Sequence, residues 1–366
     1  MCGIAGWIGA RKIGDGHSLL KAMADSIAHR GPDDSGYYFG NTRNNYEVAL
    51  AHRRLSIIDL SGGHQPMSDA DAGLVVVFNG EIYNYRDLRE ELLTAGHRFS
   101  TQSDTEILLK GYREWGEEFV ERLHGMFAFA LWDAKEEKLL LARDRFGKKP
   151  LFVHLRNDTL VFGSEIKALL QYPEVGRQLD AQSIGDYLLY RYVPSPNTLF
   201  TEIKKLPPAT IAVWQNGKLR NRQYYTPPDR DRRQVDKIPA DPVSTFLEHL
   251  DDAVKVRMVS DVPFGAFLSG GIDSSAVVSL MSRHGSSVST FSVGFTESEY
   301  SELSHARLVA KTFGARHHEL VVSPDELIQY LPTLIRYRDA PVSEPSDIPI
   351  YLLSHEARKS VKMVLT

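Results

Sequence analysis

Through residue 225 the chain alternates short apolar runs with turns. The segments 47-EVALAHRRLSIIDL-60, 74-LVVVFNG-80, 125-GMFAFALWD-133, 138-KLLLARD-144 and 160-LVFGS-164 read as strands. A later pair, 209-ATIAVWQ and KLRNRQYY-225, flanks Asn216-Gly217, a strong hairpin signal. Helical patterns are fewer. The run 87-DLREELLTAG-96 ends on a glycine suited to the C′ position, and 103-SDTEILLKGYREWG-116 opens with the Ser-x-x-Glu of a capping box. Many strands joined by short turns predict an α+β domain of mainly antiparallel sheets.

Residues 226-TPPDRDRRQVDKIPADP-242 are polar, proline-rich and aperiodic, and read as a linker. Beyond them the rhythm changes. Asp241-Pro242 predicts a helix start, with Val243, Phe246, Leu247, Leu250 and Val254 at helical spacing and Asp241 as the cap. Strand and helix then alternate through 262-VPFGAFLS-269, 289-STFSVGF-295, a helix over 302–313, 317-HHELVVS-323 and 361-VKMVLT-366, which predicts a doubly wound parallel α/β sheet. The expected organisation is thus 2–225, a linker at 226–242, and 243–366. No internal repeat or low-complexity tract interrupts it.

Composition narrows the classes. The 366 residues are 42% hydrophobic and 25% charged, as in an ordinary soluble protein, with room for about two domains. A net charge of −4 lacks the basic footprint of a nucleic-acid binder. A single cysteine excludes an internal disulfide, and no uncharged run approaches the ~20 residues of a membrane span. No basic leader or myristoylation glycine opens the chain, so a cytoplasmic, membrane-free location is expected. The 13 histidines show no metal-ligand spacing, and His317-His318 is expected in a strand.

The one cysteine is Cys2, beside the initiator methionine. Removal of Met1 would leave it with a free α-amine of pKa ~8 within reach of its own thiol. Such a terminus carries nucleophile and base together. A small buried residue near a chain end is the plainer alternative, and its neighbours decide between them.

The strings MCGIAGW, 29-HRGPDDSG-36, 54-RLSIIDL-60, 78-FNGEIYN-84, 103-SDTE-106 and 143-RDRFGKKPL-151 closely resemble the class II glutamine amidotransferases, which are N-terminal-nucleophile hydrolases. With 268-LSGGIDSS-275 added, the whole chain resembles the glutamine-hydrolysing asparagine synthetases. The resemblance implies stacked antiparallel sheets between helix layers, followed by an ATP-pyrophosphatase domain. It implies that Cys2 attacks the glutamine side-chain amide. The Asn79 side chain and Gly80 N–H would hold the oxyanion, Arg54 the α-carboxylate, and Asp104, with Glu81 nearby, the α-ammonium. Leu55, Ser56, Ile57 and Ile58 would line the same pocket. Taken singly, Arg54 reads as a solvated strand arginine, Asp104 as an acid favoured in a capped first turn, and Asn79-Gly80 as a turn dipeptide. His29 and Arg30 precede a Gly-Pro turn and receive no role.

The Ser-Gly-Gly loop between a buried strand and a helix suits a phosphate, because converging N–H groups and the helix N-terminus attract anions. It lacks the lysine of a Walker A loop. The resemblance to ATP pyrophosphatases implies that Ser269, Gly270, Gly271, Ser274 and Ser275 hold pyrophosphate, that Asp273 meets Mg²⁺, and that Leu268 and Val293 contact adenosine. The same resemblance implies that Thr366, at the last strand's end, belongs to the ATP site. Asp273 as a helix N-cap, and Leu268 and Val293 as strand core, are the plain alternatives.

Relatives continue after the last strand into a Gly-Glu-Gly-Ser-Asp-Glu loop, so the resemblance implies a chain truncated within its second domain. The expected reaction joins ammonia from glutamine to aspartate activated by ATP, with Mg²⁺, giving asparagine, glutamate, AMP and pyrophosphate. A different carboxylic acid acceptor, or a glutaminase or glutamine-binding fragment without synthetase activity, stays open. The fragment 344-EPSDIP-349 favours aspartate by resemblance. Relatives are often homodimers, which no apolar stripe in this chain demonstrates. The course of an ammonia path is not legible.

Overall fold

The computed structural model describes residues 1–10, 14–228, 239–285, 287–297, 299 and 301–366. Positions 229–238 of the expected linker lie outside the described residues. The chain divides into two compact units, Met1–Pro227 and Pro228–Thr366.

The described strands of the first unit are, in chain order, Gly3–Gly9 (β1), Asp34–Asn41 (β2), Glu47–Arg54 (β3), Met67–Asp69 (β4), Leu74–Ile82 (β5), Gly125–Asp133 (β6), Lys138–Arg143 (β7), Phe152–Arg156 (β8), Thr159–Gly163 (β9), Lys204–Lys205 (β10), Thr210–Gln215 (β11) and Lys218–Gln223 (β12). They form two six-stranded sheets, ordered β10-β8-β9-β1-β3-β2 and β12-β11-β7-β6-β5-β4, and the paired strands are antiparallel. Alternate residues of a strand face opposite sides. Ile4, Ile8, Val48 and Leu50 of one sheet therefore meet Val75, Val77, Ala128 and Trp132 of the other in a buried core between the sheets. The intervening Ala5, Trp7, Ala49 and Ala51 turn outward and pack on Leu20, Met23 and Ala24 of the helix Gly16–Ser26. Beyond the second sheet, the helix Thr105–Trp115 packs on β5 and on the helix Tyr85–Thr94. This is the stacked-sheet α+β arrangement expected.

Turn chemistry follows the sequence closely. Gln215 pairs with Lys218, and Asn216 and Gly217 take φ of 50° and 76°, as a two-residue type I′ hairpin requires. Gly96 sits past the end of its helix at φ 94°. The expected capping box does not form. The helix starts at Thr105 with Asp104 at the cap position, and Glu106 reaches back to the N–H groups of Ser100 and Thr101 at 3.0 and 2.8 Å. That loop wins the carboxylate because it offers two hydroxyls as well. The strand expected over 47–60 ends at Arg54, where the chain leaves the ladder.

In the second unit, Phe264–Phe267 (β13), Ser289–Phe295 (β14), Arg316–Val322 (β15) and Met363–Leu365 (β16) form a parallel sheet ordered β15-β14-β13-β16. Ala266 and Leu268 pack on one face with Val278, Met281, Ala306 and Ala310 of the helices Ile272–His284 and Leu303–Thr312. Phe267 and Phe291 pack on the other with Leu353 and Ala357 of the helix Asp347–Ala357. Helices on both faces make the sheet doubly wound. The helix Pro242–Arg257 is capped by Asp241 as expected. Its apolar stripe is only half used: Val254 is buried, whereas Val243, Phe246 and Leu247 are 68%, 63% and 50% exposed. The unit's core engages Leu250 and Val254 but not the first two turns.

Candidate active site

Strand alternation assembles the first site at one end of the layer between the sheets. Ile4 pairs with His52 and Gly3 with Arg53, so the register carries Cys2 opposite Arg54. Cys2 falls on the same face as Ile4, and Arg54 on the same face as His52, Leu50 and Val48. The half-buried Cys2 Sγ lies against the main chain of Leu55, 3.4 Å from its N–H and 3.6 Å from its carbonyl. Burial raises the thiol above its ordinary value, opposed by the positive chain terminus and the Leu55 N–H. Burial also pulls the α-amine of Met1, a group lost if Met1 is removed, down to about 5.

Arg30 fixes the backbone of the cysteine. Its Nε donates to the Cys2 carbonyl at 2.9 Å and its Nη1 to Glu165 at 2.8 Å. Glu165 also meets His29 Nε2 at 3.0 Å and the Lys167 ammonium. Burial alone would raise the Glu165 pKa, but these bonds to His29, Arg30 and Lys167 win and hold it at about 2. The Arg30 Nη2 atom is buried with no partner among the described residues.

Asn79 and Gly80 come from β5. Asn79 continues the face that carries Val75 and Val77, and only 1% of it is exposed. Both its Oδ1 and its Nδ2 are buried without a hydrogen-bond partner among the described residues, an arrangement that costs free energy unless a ligand uses it. Gly80 lies opposite Phe127 of β6. Phe127 spends its N–H and its carbonyl on Asp144, so the Gly80–Phe127 pair is one that does not exchange hydrogen bonds. The Gly80 N–H therefore points away from β6, on the side where Gln65 takes the Phe78 N–H and Asp104 takes the Ile82 N–H. An added Cβ would stand 2.3 Å from the Met126 carbonyl oxygen, which is why glycine is needed here.

Arg54 is buried rather than solvated. Its guanidinium donates to the carbonyls of Asp59 at 2.6 Å, Leu60 at 3.0 Å and Ile58 at 3.5 Å, and so shapes the loop that carries Leu55, Ser56, Ile57 and Ile58. The Ser56 N–H donates to Asp33. Asp104 is buried beside Glu81; burial and, less strongly, Glu81 push its pKa to about 7, against the stabilising Ile82 N–H. Sequence reasoning gave no role to Arg30, Glu165 or the buried Lys149, whose ammonium is coupled electrostatically to Glu81, Arg30 and Cys2. Arg30 stands within a string already singled out. Glu165, 135 residues from it, carried no signal.

In the second unit, Leu268, Ser269, Ser274, Val293 and Thr366 line a cavity of about 650 Å³ together with Phe267, Phe291 and Ile350. It opens at the carboxyl ends of β13, β14 and β16, where doubly wound sheets take ligands. Gly270 has φ 84°, and an added Cβ would lie 2.6 Å from that of His305. The Ser269 and Ser274 hydroxyls are 3.0 Å apart, and the Gly271 N–H donates to Ser269 Oγ. Ser275 Oγ is buried without a partner among the described residues, in the first turn of the helix Ile272–His284. Gly271, not Asp273, occupies the N-cap. Asp273 is exposed, and its carboxylate is free of the capping task it was given as an alternative. Gly270, Gly271, Asp273 and Ser275 do not line the cavity wall itself.

A thiol one residue from the chain start, on the inner side of stacked antiparallel sheets whose other sheet carries the unpartnered Asn79 on its inner face, is the arrangement of a glutamine amidotransferase domain of the N-terminal-nucleophile type. Residues 1–225 match the family described as glutamine amidotransferase domain, and residues 245–366 the family described as asparagine synthase. The chain is 38% identical, over its whole length, to glutamine-hydrolyzing asparagine synthetase 1 of Bacillus subtilis, and covers 57% of that protein. It is 35% identical to a protein provisionally named glutamine-hydrolyzing asparagine synthetase 2 in Methanocaldococcus jannaschii, of which it covers 73% and which covers all of this chain. Rice glutamine-hydrolyzing asparagine synthetase 2 is 33% identical, with all of this chain and 58% of that protein aligned. The chain belongs to the family of glutamine-hydrolysing asparagine synthetases, and it spans less than two thirds of the length of the Bacillus and rice relatives.

Proposed function

We propose that the first unit hydrolyses glutamine at Cys2 and that the second serves ATP-dependent amide synthesis on aspartate. The observation that carries the first part is the buried Asn79 amide, with no partner of its own among the described residues. Once Met1 is removed, the Cys2 amine takes the thiol proton and Sγ attacks the glutamine Cδ. The carbonyl oxygen becomes an oxyanion held by Asn79 Nδ2 and the Gly80 N–H. The C–N bond then breaks, the nitrogen takes the proton from the amine, and ammonia leaves a glutamyl thioester. Water adds to that thioester, the C–S bond breaks, and glutamate departs. Asp104 takes the substrate α-ammonium; Arg54, through its guanidinium and the loop it shapes, receives the α-carboxylate.

In the second unit, the aspartate β-carboxylate attacks the α-phosphorus of ATP and pyrophosphate leaves. Ammonia then displaces AMP from the acyl carbon to give asparagine. The hydroxyls of Ser269, Ser274 and Ser275 and the turn at Gly270-Gly271 suit the departing phosphates, and Leu268, Val293 and Thr366 the nucleoside side of the cavity. Asp273 fits a magnesium ion that is shared with phosphates and water, since such sites use one or two carboxylates. The ion would neutralise phosphate charge. A cytoplasmic homodimer is the assembly we attach to this reading. No described helix is long and apolar enough to cross a membrane.

The test is ammonia release from glutamine by this chain beside Cys2→Ala, with Met1 removal confirmed by mass. Release by the parent alone is expected. Equal release by both, or none from the processed parent, sinks the glutaminase reading. Formation of AMP that depends on aspartate tests the second half.

A further inference from the structure

We propose that His52 and Gln65 form a two-jawed clamp on the Phe78 peptide that sets Asn79 and Gly80 for oxyanion binding. The proposal rests on the glutaminase reading above. Phe78 is the residue before that pair, and its main-chain groups meet no strand on their open side. β4 is antiparallel to β5, with Met67 opposite Val76, and ends there. Two side chains take the place of the missing strand. Gln65 Oε1 accepts the Phe78 N–H at 2.6 Å, and His52 Nε2 lies 3.0 Å from the Phe78 carbonyl.

The two jaws come from different places. Gln65 lies just before β4 and is itself steadied, its Nε2 donating to Thr105 Oγ1 at 3.3 Å. Gly36 of β2 lets it approach: an added Cβ there would fall 2.0 Å from the Gln65 carbonyl oxygen. His52 belongs to β3 of the other sheet and reaches across the end of the core layer, following Val48 and Leu50 on one face. Only 1% of it is exposed.

The chemistry of this histidine is fixed by its acceptor. A carbonyl cannot donate, so Nε2 must carry the proton. Nδ1 is then a bare lone pair, and it is buried with no partner among the described residues. Burial, the largest effect, and the nearby Arg54 keep the ring neutral, against the Phe78 carbonyl, which favours the charged form. A histidine that spends one nitrogen on a carbonyl and leaves the other unpaired is a costly way to fill a core position. It is retained at the position that holds the peptide leading into Asn79. His52 and Gln65 are thus positioning residues: neither reaches the substrate, and both act through the strand that bears the oxyanion donors.

A clamp on oxyanion donors affects the transition state more than ground-state binding, since Arg54 and Asp104 hold the other end of glutamine. The test compares the parent with His52→Leu, His52→Gln and Gln65→Met, with folding checked by circular dichroism. His52→Leu should lower kcat for ammonia release by about 10- to 100-fold, the loss expected when a reacting geometry slips by roughly 1 Å. Its KM should stay within about threefold of the parent. His52→Gln, which keeps an N–H donor near the Nε2 position, should recover most of that loss. Amide exchange measured over residues 78–82 should quicken in the leucine variant and not in the glutamine one.

Parent-like kcat in folded His52→Leu overturns the clamp, as does a glutamine variant no better than the leucine one. Should the parent itself release no ammonia, the glutaminase reading fails by itself, and exchange alone judges the clamp. Unchanged exchange in His52→Leu then overturns it, and faster exchange sustains it. If His52→Leu does not fold, Gln65→Met removes the opposite jaw and is read by the same measures.

Discussion

Arg30 is held between two partners: its Nη1 donates to Glu165 at 2.8 Å while its Nε donates to the Cys2 carbonyl at 2.9 Å. The carboxylate thus anchors, at one remove, the residue proposed as nucleophile. Glu165→Gln keeps the shape and removes the charge. A depressed carboxylate pKa stabilises the fold above its unfolded value and loses that contribution as pH falls through the folded one. For Glu165 the window runs from the ordinary 4.5 down to about 2. Unfolding at pH 7 should therefore show the variant less stable by about 3 kcal/mol, with the gap closing towards pH 2. A constant gap across that range would contradict the assignment.

Asp104 runs the opposite way. Its folded pKa, raised to about 7 from 3.8, means a penalty absent below pH 3.8 and complete once pH passes about 7. Asp104→Asn should therefore match the parent near pH 4 and exceed its stability by up to about 4 kcal/mol at pH 8. The same variant should bind glutamine worse, because the amide cannot pair with the α-ammonium. Melting temperatures from pH 4 to 8 and the KM for glutamine check both halves. A stabilised variant with an unchanged KM would remove Asp104 from the glutamine site.

Much of this geometry was visible in the residues, and the reasons differ by case. The Asn216-Gly217 hairpin and the Gly96 stop were legible because local sterics alone decide them. Strand runs were legible as continuous apolar stretches bounded by turns, because both faces of these strands are buried. Arg54 was placed at the glutamine site by resemblance alone, and its burial was not legible, since the loop carbonyls that enclose its guanidinium belong to a turn no periodicity announces. Ser103 lost its capping partner for a similar reason: Glu106 had better donors nearby. The Arg30–Glu165 pair spans 135 positions of chain and joins two elements only through the fold. The apolar stripe on the helix Pro242–Arg257 announced the helix but not its burial, since Val243, Phe246 and Leu247 stay exposed beyond the unit's core.

Gly80→Ala should fail for a stated reason. Its Cβ would stand 2.3 Å from the Met126 carbonyl oxygen and 2.7 Å from Phe127 Cα, so β5 and β6 would have to part. The expected cost is about 1–3 kcal/mol or more, with ammonia release lost. Gly185→Ala is the control: nothing lies within 4 Å of the added carbon, and a helix gains about 0.5–1 kcal/mol from the change. Thermal unfolding of the two variants should move in opposite directions.

The two glycines of the phosphate loop should likewise differ. Gly270 combines φ 84° with a contact of 2.6 Å to His305, whereas at Gly271 an added Cβ meets only Ser269 Oγ, at 3.3 Å. Calorimetric titration with ATP should show binding lost in Gly270→Ala and largely kept in Gly271→Ala. Equal loss in both would mean that the turn matters less than the Ser269 hydroxyl.

The brevity of β4 carries a further consequence. Continued in register past Met67, that strand would bring residue 65 beside Phe78 and residue 63 beside Gly80, closing the ladder over both. The Gly80 amide would then be consumed by ordinary pairing, and the sheet would be better finished but chemically silent. Three residues of strand, rather than five or seven, leave one donor unspoken for. The catalytic capacity argued for this unit is in that sense a property of where a sheet stops.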